Sequence, residues 1–295
     1  MNAPLVTISS AFYNTGPMLL DMVRSVFSQT FTDWELVLVD DGSTDDSLQI
    51  ARSVRDPRVR VYSNGRNLGR AASLNRITEL ARGKYIARLD SDDLCSPNRI
   101  QKQVELIESD PKIDVVGTGM CYLGEGDQPL GYGRAVQGHD KICAHPNRTF
   151  HIAHGTLLGK KTWFQKFRYD ERLPLAIDFN LFFRSYKASV FDNVPEPLYY
   201  YRFDKSFNLR KQWTARRVGA GFLFRYNWQE QKYIRAVSSL LSQYFKFAVT
   251  VGMFYTGLRG KLMQRRFGKM SEAEKEYFLE ELRRIKNCPL PGVGE

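Results

Sequence analysis

Two short acidic runs contain the side chains of this sequence best suited to chemistry. They consist of Asp40 and Asp41, and of Asp90, Ser91, Asp92 and Asp93. Carboxylates placed this close repel one another unless a cation or several hydrogen-bond donors share them. The second run is therefore either a turn that caps the next helix or part of a Mg²⁺ or Mn²⁺ site, in which the phosphate oxygens of a ligand complete the coordination.

Three other motifs can be weighed against this interpretation. An EF-hand starting at residue 90 fails because Cys95 stands where the loop needs glycine and Gln101 where it needs glutamate. Residues 155–162 resemble a P-loop but have three residues, not four, between the glycines. Residues 117–124 have Tyr122 in place of the third glycine of a dinucleotide fingerprint. Calcium and nicotinamide binding are thus disfavoured.

The elements around the acidic runs alternate between strand and helix. Apolar stretches predict strands at 5–10, 34–39, 58–64, 84–90 and 113–119, and helical spacing predicts helices at 14–29, 43–54, 69–81 and 96–110. Ser43 and Asp46 are spaced like a capping box, as are Ser271 and Glu274 at the start of a predicted helix at 271–286, and Ser96 and Pro97 are typical of a helix start. This order predicts an α/β fold with a mostly parallel sheet flanked by helices. Both acidic runs would then lie at the carboxyl edge of the sheet, where such folds bind ligands.

Several stretches together resemble family 2 glycosyltransferases of the GT-A fold. They are VTISSAFYN, SVFSQTFTDWELVLVDDGSTD, NLGRAASLN, GKYIARLDSDD, LAIDFNLFFR and VPEPLYYYR, in the family's order over about residues 4–202. The resemblance implies a GT-A domain at 1–205, with the nucleotide sugar bound by about 1–118 and the acceptor by 119–205. It also implies an inverting transfer from a UDP- or dTDP-sugar to a saccharide or lipid-linked hydroxyl, as in bacterial surface polysaccharide or glycolipid synthesis.

The same resemblance assigns roles to individual residues. It implies a nucleotide-sugar site made of Ala11, Tyr13, Asp40, Asp41, Arg70, Asp90, Ser91 and Asp92. A carboxylate can accept the imide N–H of uracil or thymine, which adenine lacks at that place. In relatives the DxD holds the diphosphate through a divalent cation, so Asp90 and Asp92, with Asp93 alongside, are expected to bind Mn²⁺ or Mg²⁺.

The acceptor side matches the family less completely. Asp178 corresponds to the general base of relatives, but Ile177 replaces the glutamate that usually precedes it. Asp204 stands where relatives often have a histidine that helps to hold the diphosphate or metal. His154 matches a histidine of the acceptor segment, and with His151 it lacks the two further ligands of a zinc site. These departures leave open a non-catalytic protein that binds nucleotide sugars.

The basic charge is concentrated in the C-terminal part. Residues 202–269 contain fifteen lysines and arginines and two acidic residues, and account for the whole net charge of +11. Residues 206–295 are predicted to form a helical appendage that either lies on an anionic membrane surface through 206–269 or packs on the catalytic domain or a second subunit, as in a homo-oligomer. Lys246 and Gln243 disfavour a bilayer-spanning helix at 237–258. Nucleic-acid binding is disfavoured because no recognition motif is present.

The N-terminus and the cysteines indicate a compartment. The first ten residues lack the basic and apolar regions of a signal peptide, and four cysteines without a CxxC pair form no disulfide framework. At 295 residues and 43% hydrophobic, the chain can bury a full core. We therefore expect a folded cytoplasmic protein, with peripheral attachment to the inner face of the cell membrane as an extension.

Overall fold

A computed structural model describes residues 3–203, 209–256 and 270–293. It confirms the α/β prediction, with one sheet flanked by helices. The strands are β1 (Val6–Phe12), β2 (Trp34–Asp40), β3 (Val59–Ser63), β4 (Tyr85–Arg88), β5 (Leu94–Cys95), β6 (Val115–Leu123), β7 (Pro129–Gly133), β8 (Leu158–Lys160) and β9 (Phe191–Arg202). The helices are α1 (Met18–Phe27), α2 (Ser47–Ser53), α3 (Arg70–Leu80), α4 (Arg99–Ser109), α5 (His139–Ile142), α6 (Lys161–Lys166), α7 (Ile177–Ser185), α8 (Leu209–Gln229), α9 (Tyr233–Tyr255) and α10 (Glu272–Lys286).

The first four long strands form the parallel part of the sheet. Their spatial order is β3-β2-β1-β4, and all three pairings between them are parallel. Phe12 of β1 pairs with Asp40 of β2, and Asp40 pairs with Ser63 of β3. Because these strands run in one direction, the chain leaves them at a common edge. Both acidic runs lie at that edge, as the sequence predicts.

The rest of the sheet is mixed rather than parallel. The order continues β8-β6-β9-β5, with β7 pairing on β6, and only the β6–β9 pairing there is parallel. Three of these strands, β5, β7 and β8, are short and contain two to five residues. Strands as short as β5 and β8, with two and three residues, show no alternation from which they could be predicted.

Two apolar layers cover the faces of the sheet. Leu36 and Leu38 of β2 pack with buried side chains of α1, α2 and α4 on one face. Val37 and Val39 pack with α3, α6 and α7 on the other face. A strand buried on both faces has a nearly continuous apolar sequence, which explains WELVLV in β2.

Two predicted helix starts are wrong. The capping box at Ser43 does not form, and α2 begins at Ser47 without a side-chain cap. The Ser43 hydroxyl instead accepts from the backbone N–H of Asn14. Ser96 is not the N-cap of α4 either, because Asn98 has that position and Ser96 still belongs to the β5–β9 contact, where its N–H donates to the Leu198 carbonyl. The helix therefore starts at Arg99.

The C-terminal helices fall into two groups. Helices α8 and α9 form a hairpin that contacts α7, where Phe183 packs edge-on against Phe222 and Tyr226 of α8. Helix α10 begins with the predicted capping box of Ser271 and Glu274 and buries its apolar face against β5, β6 and β9. Within the described ranges, no helix is long and apolar enough to cross a bilayer. Asp204 lies outside the described residues.

Candidate functional site

A small cleft at the carboxyl edge of the parallel strands brings most predicted donor-site residues together. The cleft has a volume of about 160 Å³. Its lining residues are Ala11, Phe12, Tyr13, Asp41, Arg70, Asp90, Ser91 and Asp92. Seven of these eight were predicted from the sequence, and Phe12 is the addition. Tyr13 has an exposed ring at the mouth of the cleft, as a side chain that stacks on a base would need.

Asp41 shapes the loop that follows β3. One carboxylate oxygen accepts from the Asn64 amide, the Leu68 N–H and the Ser73 hydroxyl at 2.9–3.0 Å. The other accepts from the Gly69 N–H at 3.0 Å. A carboxylate with four donors organises the backbone around it. Asp41 therefore holds the loop at the start of α3, which carries Arg70.

Gly42 explains the glycine in the VDDGS sequence. Its φ of +77° is a conformation that side chains disfavour, and an added Cβ would lie 2.4 Å from the Arg66 carbonyl carbon. The loops after β2 and β3 can touch only because this residue is glycine. The close contact keeps the loop that carries Arg70 beside the acidic runs.

Asp40 does not line the cleft. It is buried at the end of β2, where it accepts from the Ser43 N–H at 2.8 Å and from the Ser63 hydroxyl at 2.7 Å. Burial disfavours its charged form, but these hydrogen bonds outweigh that cost and lower its pKa. Asp40 thus closes the turn after β2 from beneath the cleft.

Two arginines hold Asp90. Its Oδ1 accepts from Arg70 at 2.5 Å and from Arg88 at 3.4 Å. Burial disfavours ionisation of Asp90, but the two guanidinium groups outweigh it and keep its pKa well below the usual range. Arg88 is almost fully buried, and its Nε and Nη1 have no hydrogen-bond partner. Its Nη2 donates to Asp90 Oδ1, so the positive charge of Arg88 stabilises the ionised form of that carboxylate.

Asp92 and Asp93 differ in how much of the carboxylate remains available. Asp93 is buried, and its two oxygens accept from the Tyr199 hydroxyl at 2.7 Å and the Arg202 N–H at 2.8 Å. Burial and the neighbouring carboxylates raise its pKa well above the usual value. Asp92 lines the cleft, and burial and Asp90 raise its pKa as well. An added positive charge at Asp92 would relieve this repulsion.

These contacts allow a test of whether a divalent cation fits. Asp90 keeps one oxygen outside its arginine contacts, and Asp92 faces the cleft, so two hard oxygen ligands are available. Within the described ranges, no three His, Cys, Asp or Glu side chains converge as a preformed metal cage. Mg²⁺ is typically held by one or two carboxylates together with substrate phosphates. The residues therefore fit a cation that arrives with a diphosphate, and Asp93 is the least available ligand.

Sequence reasoning assigned no role to the polar residues beneath the acidic run. Tyr199 accepts from the Asp90 N–H at 3.2 Å while it donates to Asp93. The fully buried Arg99 lies over the Tyr199 ring at 5.3 Å and donates to the Arg88 and Gly155 carbonyls. The two-residue period of β9 could have indicated Tyr199 and Tyr201 as one face. The roles of Arg88 and Arg99 depend on contacts between distant elements.

Arg202 ties the acidic run to the rest of the molecule. Its guanidinium donates to Asp127 at 2.7 Å, to Asp21 at 2.8 Å and to the Asp92 carbonyl at 3.0 Å. Lys286 of α10 also pairs with Asp127. Bidentate pairs of this kind fix geometry as well as charge. The backbone of the acidic run is thus positioned by β9 and, through Asp127, by α10.

A larger cleft adjoins the first and contains Asp178, the predicted general base. It has a volume of about 610 Å³ and shares Arg70 and Asp90 with the smaller cleft. Asp178 lines it from the first turn of α7. The residue before this helix, Ala176, has φ +58°, an uncommon value for a residue other than glycine. The strained turn directs the start of α7 towards the shared wall.

His154 also lines the larger cleft. Its Nε2 lies 2.7 Å from the Tyr169 hydroxyl, and burial together with Arg88 and Arg70 lowers its pKa well below the usual value. Burial likewise raises the pKa of Tyr169 to about 12. His154 is therefore neutral at physiological pH. As a neutral imidazole, it can form a hydrogen bond with a ligand or with Tyr169 and adds no positive charge to the cleft.

Comparisons with known proteins agree with this geometry. The chain is 32% identical over 225 residues to EpsE of Bacillus subtilis, named as a glycosyltransferase, covering 72% of this chain and 78% of EpsE. It is 27% identical over 200 residues to chondroitin synthase of Escherichia coli, covering 66% of this chain and 28% of that protein. The structure of S. aureus TarS 1–349 in complex with UDP-GlcNAc superposes with a TM-score of 0.62 at 18% identity, covering 98% of this chain and 82% of TarS.

The family model "Glycosyl transferase family 2" matches residues 7–193, a range that includes the whole lining of the smaller cleft and Asp178 of the larger one. The chain belongs to glycosyl transferase family 2.

Proposed function

We propose that this glycosyltransferase moves a sugar from a UDP- or dTDP-sugar to a hydroxyl group of a saccharide or lipid-linked acceptor, with inversion at the anomeric carbon. The observation that carries the proposal is the pair of adjoining clefts. One is lined by the predicted donor residues, the other by Asp178, and Arg70 and Asp90 belong to both. A sugar held at this shared wall could be approached from the Asp178 side.

The smaller cleft is suited to a nucleoside diphosphate. Tyr13 offers an exposed ring for the base, and the Arg70 guanidinium offers donors for phosphate oxygens. TarS, which has the same fold, is described in complex with UDP-GlcNAc, and this supports a uracil nucleotide here. A thymine base presents the same imide N–H, so a dTDP-sugar satisfies the same chemistry.

Asp90 and Asp92 are the residues that would hold Mn²⁺ or Mg²⁺ with the diphosphate. The bound cation supplies Lewis-acid stabilisation of the negative charge on the leaving diphosphate. Arg70 and Arg88 fix the Asp90 side chain in one orientation before any ligand arrives. Tyr199 and Arg202 fix the backbone of the run from the other side. The protein thus preorganises the donor site.

Asp178 is the proposed general base. Its carboxylate would accept the proton of the acceptor hydroxyl as that oxygen attacks the anomeric carbon. One carboxylate suffices for this step. Ile177, in the place of the family's glutamate, is buried in the apolar core beneath α7, so the acceptor must be oriented by other side chains of the larger cleft. The polar candidates that line this cleft are His154, Tyr122, Tyr201 and Gln212.

The biological setting is proposed from the relatives. Chondroitin synthase is a polysaccharide synthase by its name, and it shares sequence with this chain over 200 residues. Assembly of a bacterial surface polysaccharide or glycolipid would use the same transfer. The cytoplasm, where nucleotide sugars are made, is the proposed location, with the inner face of the cell membrane for a lipid-linked acceptor.

The decisive experiment measures release of nucleoside diphosphate from a panel of UDP- and dTDP-sugars. Each donor is assayed with Mn²⁺, with Mg²⁺ and with a chelator, and Asp92→Asn serves as the control variant. We expect metal-dependent release from one donor and its loss in the variant. Release that persists undiminished in Asp92→Asn would contradict the assigned donor site.

The second candidate is a protein that binds a nucleotide sugar without turnover. Ile177 favours this alternative. It replaces the family's acceptor-side glutamate and is buried in the apolar core, so it offers the acceptor no carboxylate. Metal-dependent UDP binding without transfer to any acceptor of a saccharide and lipid-linked panel would support this alternative.

A further inference from the structure

The outward surface of α9 is apolar along its whole length. Most of its exposed apolar residues recur at spacings of three or four, so they form one stripe along the solvent-facing side of the helix. Ile234 is 87% exposed, Leu241 62% and Phe245 72%. The other exposed apolar side chains of this stripe are Val237, Tyr244, Val249 and Tyr255. At 1.5 Å per residue, a 23-residue helix presents this stripe over roughly 35 Å.

Some polar residues of α9 face α8, whereas Arg235 and Ser238 are exposed. Gln243 and Thr250 accept from the Arg216 guanidinium of α8 at 3.5 and 3.4 Å. Aromatic contacts also join the two helices, with the Trp213 ring 4.7 Å from that of Phe247 and the Trp228 ring 4.9 Å from that of Tyr233. A helix that belongs to a water-soluble surface would point its polar side outwards. Helix α9 therefore has apolar side chains on its solvent-facing side as well as against α8, where Ala236 and Phe247 pack, and the apolar stripe needs a cover.

The positive charge of the α8–α9 hairpin indicates what covers the apolar stripe. Residues 209–256 contain eight lysines and arginines and one glutamate. Arg210, Arg217 and Arg225 are exposed along one face of α8, and Arg235 is exposed at the start of α9. Two copies of this hairpin pressed together would bring these like charges close to each other. An anionic bilayer surface complements them, because anionic lipid headgroups attract basic residues that lie close to the membrane.

We propose that the apolar stripe of α9 inserts into the interface of an anionic bilayer and holds the protein flat on the membrane. No described helix is long and apolar enough to span a bilayer, so the hairpin would lie in the headgroup region rather than cross it. The exposed arginines of α8 contact lipid phosphates, and the side chains of Ile234, Leu241 and Phe245 enter the acyl boundary.

The hairpin connects this surface to the larger cleft. Gln212 of α8 lines that cleft together with Asp178, and Phe183 of α7 packs against Phe222 of α8. A protein seated through α9 would keep its acceptor cleft near the lipid surface. The acceptor class that fits is a sugar hydroxyl on a lipid anchor, and this part of the inference rests on the proposed glycosyl transfer.

The test is flotation of the full chain with vesicles. One set of vesicles is pure phosphatidylcholine and the other contains phosphatidylglycerol as well. We expect binding to the anionic set alone. Leu241→Glu with Phe245→Glu places two carboxylates on the stripe and should weaken vesicle binding more than tenfold. Leu130→Glu is the matched control, because Leu130 is 45% exposed on β7, outside the hairpin, and should bind as the wild type does.

Three further measurements separate the outcomes. Circular dichroism and UDP binding show that the variants are folded. Sedimentation velocity of the wild type shows whether a second copy covers the stripe, and a dimer dissociated by the two substitutions would overturn the proposal. Equal vesicle binding by the wild type and the double variant would also overturn it. Donor release is measured without lipid, so the two proposals are tested independently. A failed membrane test leaves the transfer proposal standing, and a failed donor-release test leaves the vesicle-binding result standing.

Discussion

Asp178 is the residue whose replacement should separate the chemical step from donor binding. It lines only the larger cleft, whereas the donor residues line the smaller one. Asp178→Asn keeps the shape of the side chain and removes its ability to take a proton. We expect the transfer rate to fall by roughly 10²–10⁴-fold, with the dissociation constant for UDP changed less than twofold. Single-turnover assays and calorimetry measure the two quantities.

Asp170→Asn is the matched control, because Asp170 lies in the same segment but pairs with the exposed Arg172. Its transfer rate should match that of the wild type. If Asp178→Asn kept most of its transfer rate, the base would have to be another group of the larger cleft. His154 lines that cleft, but burial, Arg88 and Arg70 hold its pKa well below the usual value, so it would be a poor proton acceptor.

Arg70 should contribute to diphosphate binding rather than to base recognition. Its guanidinium lies against Asp90 at the wall between the two clefts. Arg70→Gln removes a charged donor, and we expect UDP to bind about tenfold more weakly while uridine binds as before. Arg66→Gln, at an exposed position in the same loop, is the control. Equal losses for UDP and uridine would assign Arg70 to the base instead.

At the scale of elements, α10 depends on its first turn. Ser271 accepts from the Glu274 N–H at 3.2 Å, and Glu274 accepts from the Ser271 N–H at 2.8 Å. Ser271→Ala removes one half of this capping box and should lower the free energy of unfolding by about 1 kcal/mol. Thermal unfolding measures the change. Ser109→Ala, at the end of α4, should change it less, and a larger effect there would contradict the capping argument.

The two capping-box predictions show what local sequence can decide. Ser271 starts an exposed helix, so no other group competes for its hydroxyl, and the prediction is confirmed. Ser43 has the same kind of spacing, but Asn14 from the neighbouring loop donates to its hydroxyl. The strand ends were predictable because long apolar runs mark β1, β2 and β4. The short strand β5 and the delayed start of α4 depend on pairing with β9, about 100 residues later.

At the scale of the whole molecule, the acidic run was predictable and its supports were not. The order of strands and helices places Asp90 and Asp92 at the carboxyl edge in any fold of this class. The buried cations Arg88 and Arg99 come from β4 and α4, which pattern analysis treats as ordinary strand and helix positions. Only the tertiary structure shows that they lie beneath the run. An arginine at a position that the apolar pattern marks as buried is the one local signal that could have indicated a buried cation beneath the acidic run.

Asp127 links three distant parts of the chain, and its ionisation should stabilise the whole fold. Burial disfavours the charged form, but hydrogen bonds from Arg202 and Lys286 outweigh that cost and lower its pKa from 3.8 to about 2. A depressed pKa adds stability that is complete above the unfolded value and is lost as the pH falls from about 4 to about 2. The shift corresponds to roughly 2 kcal/mol.

Asp127→Asn tests this link, and asparagine suits the site because Asp127 has φ +59°. We expect the variant to be less stable than the wild type by about 2 kcal/mol at pH 7, with a difference that shrinks as the pH falls below 4. Urea unfolding at several pH values measures it, and subtraction removes the carboxylates that both proteins share. Glu125→Gln, an exposed neighbour, should give no pH-dependent difference. A constant difference for Asp127→Asn from pH 7 to pH 3 would mean that shape, not charge, joins α10 to the acidic run.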